Sequence, residues 1–227
     1  MSKCDDGLFG WPLIKQMAPA VLAAAMVGCG GGGGEVEPVV QAPAEKAPAV
    51  CMVDLYGDSI MAGWYLRDMG LETPDQMLVR MRPKWTVHNY AVGGEKAVDR
   101  VRYFFGGGAR VTVIEHGTND GGAFARSEPG GGLGYEDAMR TMIRAAQNKG
   151  STVIVTGLSQ QQESLSWVDS FNEKARHVAA ETGAIFADWH SVPVGPMHDF
   201  THPGDVFAER LVVRLIQKLD QLAPECA

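Results

Sequence analysis

Residues 50–59 read VCMVDLYGDS. Val50 to Tyr56 form a short, largely apolar run that stops at Gly57, which describes a buried strand rather than a helix. Gly57-Asp58-Ser59 then places a hydroxyl directly after that strand, at the start of a helical stretch. That stretch runs from Ile60 to Arg82, broken near Gly70 and restarted at Thr73-Pro74, where a capping residue precedes a first-turn proline. Further strand signals fall at Trp85 to Tyr90, Arg110 to Glu115, Thr152 to Thr156 and Ala184 to Ala187. Helical periods fall at Glu95 to Phe105, Tyr135 to Asn148, Trp167 to Thr182 and Val206 to Leu222. Such alternation predicts one α/β domain over residues 50–227, a parallel sheet with helices on both faces. Ligands of such sheets bind beyond the carboxyl ends of the strands, so functional residues are expected just after strands.

Upstream of this domain the character changes. Met17 to Val27 is an apolar run too short to span a bilayer, which takes ~20 residues. It suits the ~7–15-residue core of a signal peptide. Met26-Val27-Gly28-Cys29 resembles the lipobox of bacterial lipoproteins, which implies a signal peptide over residues 1–28 and a lipidated Cys29. The expected location is the cell envelope, with the lipid anchor in a membrane and the domain facing the periplasm. Plain secretion and no processing are the alternatives. Residues 29–49 hold the glycine run Gly30 to Gly34 and a segment rich in Pro, Ala, Val and Glu, read as a flexible tether. The net charge is -7 with no dense basic stripe, which gives nucleic-acid binding no electrostatic footing.

Four short motifs then occupy the expected places. Gly57-Asp58-Ser59 follows the first strand, where free backbone N–H groups and a helix dipole surround the hydroxyl; a plain N-cap is the alternative. Gly93-Gly94 follows the second strand. It reads as a tight turn, or as a place where a backbone N–H closely approaches a developing oxyanion. Gly117-Thr118-Asn119-Asp120 follows the third strand, either as a cap or as an amide donor to the same oxyanion. Asp199-Phe200-Thr201-His202-Pro203 precedes the last helix. Asp and His three apart can form an orienter-and-base pair, or two capping groups.

Taken together, in this order, the four motifs resemble the GDSL/SGNH hydrolases over about Met52 to Leu222. The resemblance implies a single flavodoxin-like three-layer domain with about five strands. It implies Ser59 as nucleophile, His202 as general base and Asp199 as its orienting carboxylate. The oxyanion hole would be Ser59, Gly94 and Asn119. It implies no cofactor and no metal, and an ester substrate that is a small molecule or carried on carbohydrate. An α/β-hydrolase is a poor rival, because Met61 stands where its nucleophile elbow requires glycine. An acyltransferase or carbohydrate deacetylase would use the same residues, and a non-catalytic envelope binding protein is a further alternative. Glu115 and His116 are polar where an apolar strand end is commoner, which leaves the packing there open.

The remaining histidines, His88, His116, His177, His190 and His198, are not spaced as a ligand cluster and read as structural or solvent-facing. Met61 to Leu66, Gly121 to Gly134 and Ser159 to Ser166 are expected to form the substrate rim, with Trp64 a candidate wall. Gly130-Gly131-Gly132 is expected to be mobile. The first strand runs toward the site and the last helix away from it. Cys51 and Cys226 are therefore expected at the opposite end, joined as a disulfide, with two free thiols as the alternative.

Overall fold

The computed structural model describes residues 51–227; the expected signal peptide, tether and lipidated Cys29 lie outside the described residues. Five strands, β1 (Met52–Tyr56), β2 (Thr86–Asn89), β3 (Val111–Ile114), β4 (Thr152–Val155) and β5 (Ile185–Phe186), form one sheet in the order β2-β1-β3-β4-β5. Every pairing is parallel. The chain leaves β1 for one neighbour and then crosses over to the other. The crevice between the carboxyl ends of β1 and β3 is thus the topological switch point, where such folds bind ligands.

Period-two alternation divides the strand side chains between two apolar cores. Val53, Leu55, Val111, Val113 and Ile154 pack on one face. There they meet α1 (Ser59–Ala62), α2 (Trp64–Asp68), α3 (Pro74–Met81) and α8 (Asp205–Leu222). Ile114, Val153 and Val155 pack on the other face, against α4 (Ala97–Arg100), α6 (Tyr135–Asn148) and α7 (Ser166–Thr182). The α6 residues Tyr135, Ala138, Met139, Met142, Ile143 and Ala146 recur at helical spacing and form its buried stripe.

Three local expectations change. The stretch after Ser59 breaks at Gly63 as well as near Gly70, so α1 is a single turn. Its dipole contributes little, and the local N–H groups are what matter there. Met61, Tyr65 and Leu66, expected on the rim, are core residues, leaving Trp64 exposed. The segment from Gly121 does not begin as a loop. It belongs to α5 (Thr118–Ala125), a helix whose Gly121 lies so close to Trp167 that a Cβ would come within 2.5 Å of the indole. Gly131 and Gly132 pack as tightly, on Ala123 and Phe171, whereas a Cβ on Gly130 would meet nothing within 4 Å.

At the amino end of β1, Cys51 is joined to Cys226, with their Cα atoms 5.7 Å apart. Cys226 lies in a 3₁₀ turn, Pro224–Cys226, that follows α8.

Candidate active site

Ser59 stands three residues beyond β1 with its backbone set by Asp58, whose Oδ1 accepts the Ile60 N–H at 3.0 Å. His202 comes from the loop before α8. An antiparallel bridge between Met197 and Pro203 and the His198 N–H donating to the His202 carbonyl at 2.8 Å pin that loop. The His202 ring leans on Tyr65, with centroids 4.7 Å apart, and meets Trp64 nearly edge-on at 5.6 Å. His198, itself exposed, stacks on the same Tyr65.

This framework places the Ser59 Oγ 2.9 Å from His202 Nε2, and His202 Nδ1 2.7 Å from Asp199 Oδ2. The other Asp199 oxygen accepts the backbone N–H groups of Thr201 and His202, each at 2.8 Å. Burial by itself would raise the Asp199 carboxyl. Hydrogen bonds from the His202 N–H, its ring and the Thr201 N–H outweigh that and hold it below the ordinary carboxylate range. An ionised Asp199 accepts from Nδ1–H, which assigns Nε2 as the acceptor facing the Ser59 hydroxyl. Asp199 is the more open member, its side chain 47% exposed against 15% for His202.

Gly94 and Asn119 come from the ends of β2 and β3. Gly94 has φ +78°, which only glycine adopts readily, yet a Cβ there would meet nothing within 4 Å. Close approach belongs instead to Gly93, whose Cβ would lie 2.9 Å from Trp64 Nε1 and 3.8 Å from the Ser59 Cβ. Asn119 Nδ2 donates to the Glu95 carbonyl at 3.1 Å. An amide nitrogen carries two N–H groups, so one remains for a ligand.

Further residues, to which the sequence assigned no role in the site, hold these donors in place. Glu95 follows Gly94 and is buried; its carboxylate accepts from Arg100 Nε at 2.6 Å, lies 3.1 Å from His116 Nε2 and bonds the Tyr103 hydroxyl. Burial opposes its charge, but the hydrogen bonds from His116, Tyr103 and Arg100 win and keep it below the usual range. Asp120 ties the β3 loop to α4 by accepting the Ala97 N–H at 2.9 Å. The polar strand end that left packing open is resolved by burial with partners: His116 on Glu95, and Glu115 on the Asp58 N–H at 3.0 Å. The signal available in the sequence was an acid directly after each of two glycine- or asparagine-bearing turns. Beside Trp64 opens a cleft of about 500 Å³, lined by Asp75, Gln76, Asn89, Val92 and Gly93 among others.

Comparison with known proteins bears on the fold and the family. By fold the chain is similar to the acetyl xylan esterase AlAXEase (15% identity, 74% of this chain and 99% of that one, TM-score 0.58). It is likewise similar to TesA (20%, 75% and 99%, 0.57) and to a lipase/acylhydrolase from Enterococcus faecalis (19%, 75% and 95%, 0.61). No curated protein sequence matches it significantly. The model of the GDSL-like lipase/acylhydrolase family matches residues 55–210, which takes in Ser59, Gly94, Asn119, Asp199 and His202, and the chain belongs to that family.

Proposed function

We propose that this protein hydrolyses carboxylic esters with Ser59 as nucleophile, His202 as general base and Asp199 as the carboxylate that orients it. The observation that carries this reading is the hydrogen-bonded series Ser59 Oγ, His202, Asp199, at 2.9 and 2.7 Å. As the Ser59 oxygen attacks the ester carbonyl, His202 Nε2 takes its proton and Asp199 stabilises the imidazolium. The negative charge that develops on the carbonyl oxygen is received by the N–H groups of Ser59 and Gly94 and by the free N–H of Asn119. His202 then protonates the departing alcohol, and the acyl group stays on Ser59. In the second half His202 removes a proton from water, which attacks the acyl-enzyme and releases the acid.

The cleft beside Trp64 supports a polar alcohol portion of the substrate, because Asp75, Gln76 and Asn89 line it. The same cleft favours a second reading, a deacetylase acting on carbohydrate-borne esters; one structural neighbour is an acetyl xylan esterase. A series of model esters of increasing acyl length, run with wild type and Ser59→Ala, tests the hydrolase reading. Turnover should fall by about 10⁴-fold or more in Ser59→Ala, and a fluorophosphonate should label wild type alone. Full turnover by Ser59→Ala sinks the reading. Export as a lipoprotein anchored through Cys29 is part of the proposal, supported by the lipobox-like residues 26–29; a diacylglyceryl-sized mass increment on Cys29 checks it.

A further inference from the structure

Two carboxyl groups lie beneath Ser59 and have no part in the steps above. Parallel pairing sets Tyr56 of β1 beside Ile114 of β3, so the chain leaves both strands together and Asp58 emerges next to Glu115. The Asp58 N–H donates to Glu115 Oε2 at 3.0 Å, while Asp58 Oδ1 caps α1 through the Ile60 N–H. A Cβ on Gly57 would lie 2.5 Å from Glu115 Oε2, so the carboxyl packs directly on the backbone that carries Ser59. Asp58 and Glu115 are 0% and 1% exposed, and their carboxyls lie within hydrogen-bonding reach of each other. Each keeps one oxygen without a partner, Asp58 Oδ2 and Glu115 Oε1.

Two buried carboxylates in contact repel strongly where water does not screen them. One proton held by the pair removes the repulsion. We propose that Glu115 is a positioning residue that holds one proton jointly with Asp58, and that this bond fixes the Asp58-Ser59 backbone so that the Ser59 N–H and hydroxyl meet the reacting carbonyl. The inference rests on the hydrolase reading of Ser59.

Burial pushes the Asp58 carboxyl up to about 6 and the Glu115 carboxyl well above its ordinary value. Burial thus favours a proton held by the pair as a whole. The groups facing the pair are His116 from the end of β3, Asp120 from α5, His202 from the loop before α8, Tyr65 from α2 and Tyr135 from α6. His116 and His202 favour a charge on Asp58, and Asp120 opposes it.

Infrared spectra of the full chain provide the direct test. At about pH 8 ordinary side-chain carboxyls are ionised, so the carbonyl stretch of a carboxylic acid should stand alone in wild type and vanish in Glu115→Gln. Glu115→Gln retains an acceptor for the Asp58 N–H and a neutral donor for its carboxylate, so kcat should stay within about tenfold of wild type. Glu115→Leu keeps the bulk and loses both bonds. Its kcat should fall by about a hundredfold or more with KM little changed, as expected for a misplaced oxyanion donor. No acid band in wild type, or a Glu115→Leu protein as active as Glu115→Gln, overturns the proposal, and the spectra need only wild type and Glu115→Gln. Failure of the hydrolase reading has its own signature, wild-type protein with neither ester turnover nor Ser59 labelling, and would take the positioning role with it.

Discussion

Asn119 illustrates how one residue can be constrained and available at once. Its Nδ2 already donates to the Glu95 carbonyl, which fixes the amide plane and leaves the second N–H for a substrate oxygen. A donor preorganised in this way acts on charge that develops in the transition state, not on the ground-state ester. Asn119→Ala should therefore lower kcat by about 10²–10³-fold, near 3–4 kcal/mol, with KM almost unchanged. Steady-state kinetics on a short-chain ester measure this; a loss confined to KM would assign Asn119 to substrate binding instead. Glu95 is the residue behind it, a buried carboxylate held by Arg100 and His116 at 2.6 and 3.1 Å. The sequence marks Glu95 only as an acid after the Gly93-Gly94 turn; its partners Arg100 and His116 come from other elements.

The turn between β1 and α1 carries the chemistry of the site at the level of elements. Its geometry requires a carboxyl of the neighbouring β3 end to rest on Gly57, with no space for a Cβ. Gly57→Ala should destabilise the fold by about 1–3 kcal/mol, the usual cost of overpacking, and lower kcat as Ser59 is displaced. A urea midpoint together with kcat checks this, and an unchanged kcat would uncouple the turn from the nucleophile. The same scale shows where sequence reading succeeds and where it stops. The long amphipathic helix α6 is legible to the residue at both ends, because its apolar stripe repeats over 14 residues. The helix α5 is not, because Thr118-Asn119-Asp120-Gly121-Gly122 are weak helix formers; its packing on α7 overrides their propensity. The one-turn α1 is equally illegible, since nothing in a four-residue pattern separates it from a capped loop.

Across the whole molecule the Cys51–Cys226 disulfide closes a span of 175 residues, joining the start of β1 to the turn after α8. Closing so long a loop restricts the unfolded chain by about 5 kcal/mol in the chain-entropy account, and removing a native disulfide typically costs ~2–5 kcal/mol. Cys226→Ala, or reduction of the bond, should lower the unfolding midpoint by that measure. Ester turnover by the folded protein at 25 °C should persist, because the bond lies at the amino end of β1 and Ser59 at the carboxyl end. Calorimetry paired with an activity assay decides it, and equal stability of the oxidised and reduced protein would count against the bond as a staple.

The sequence by itself determined the parallel α/β sandwich, the five strands, the family and the short motifs from which Ser59, Gly94, Asn119, Asp199 and His202 were picked. It could do so because strand and helix periods are local, and because ligand-binding residues of such sheets follow strand ends. Only the tertiary structure decided what surrounds them. Strand order and register bring Glu115 onto Asp58, carry His116 and Arg100 to Glu95, and turn Tyr65 inward under His202. Burial and partnership are properties of residues distant in the chain that meet once loops close, and no local pattern encodes that meeting.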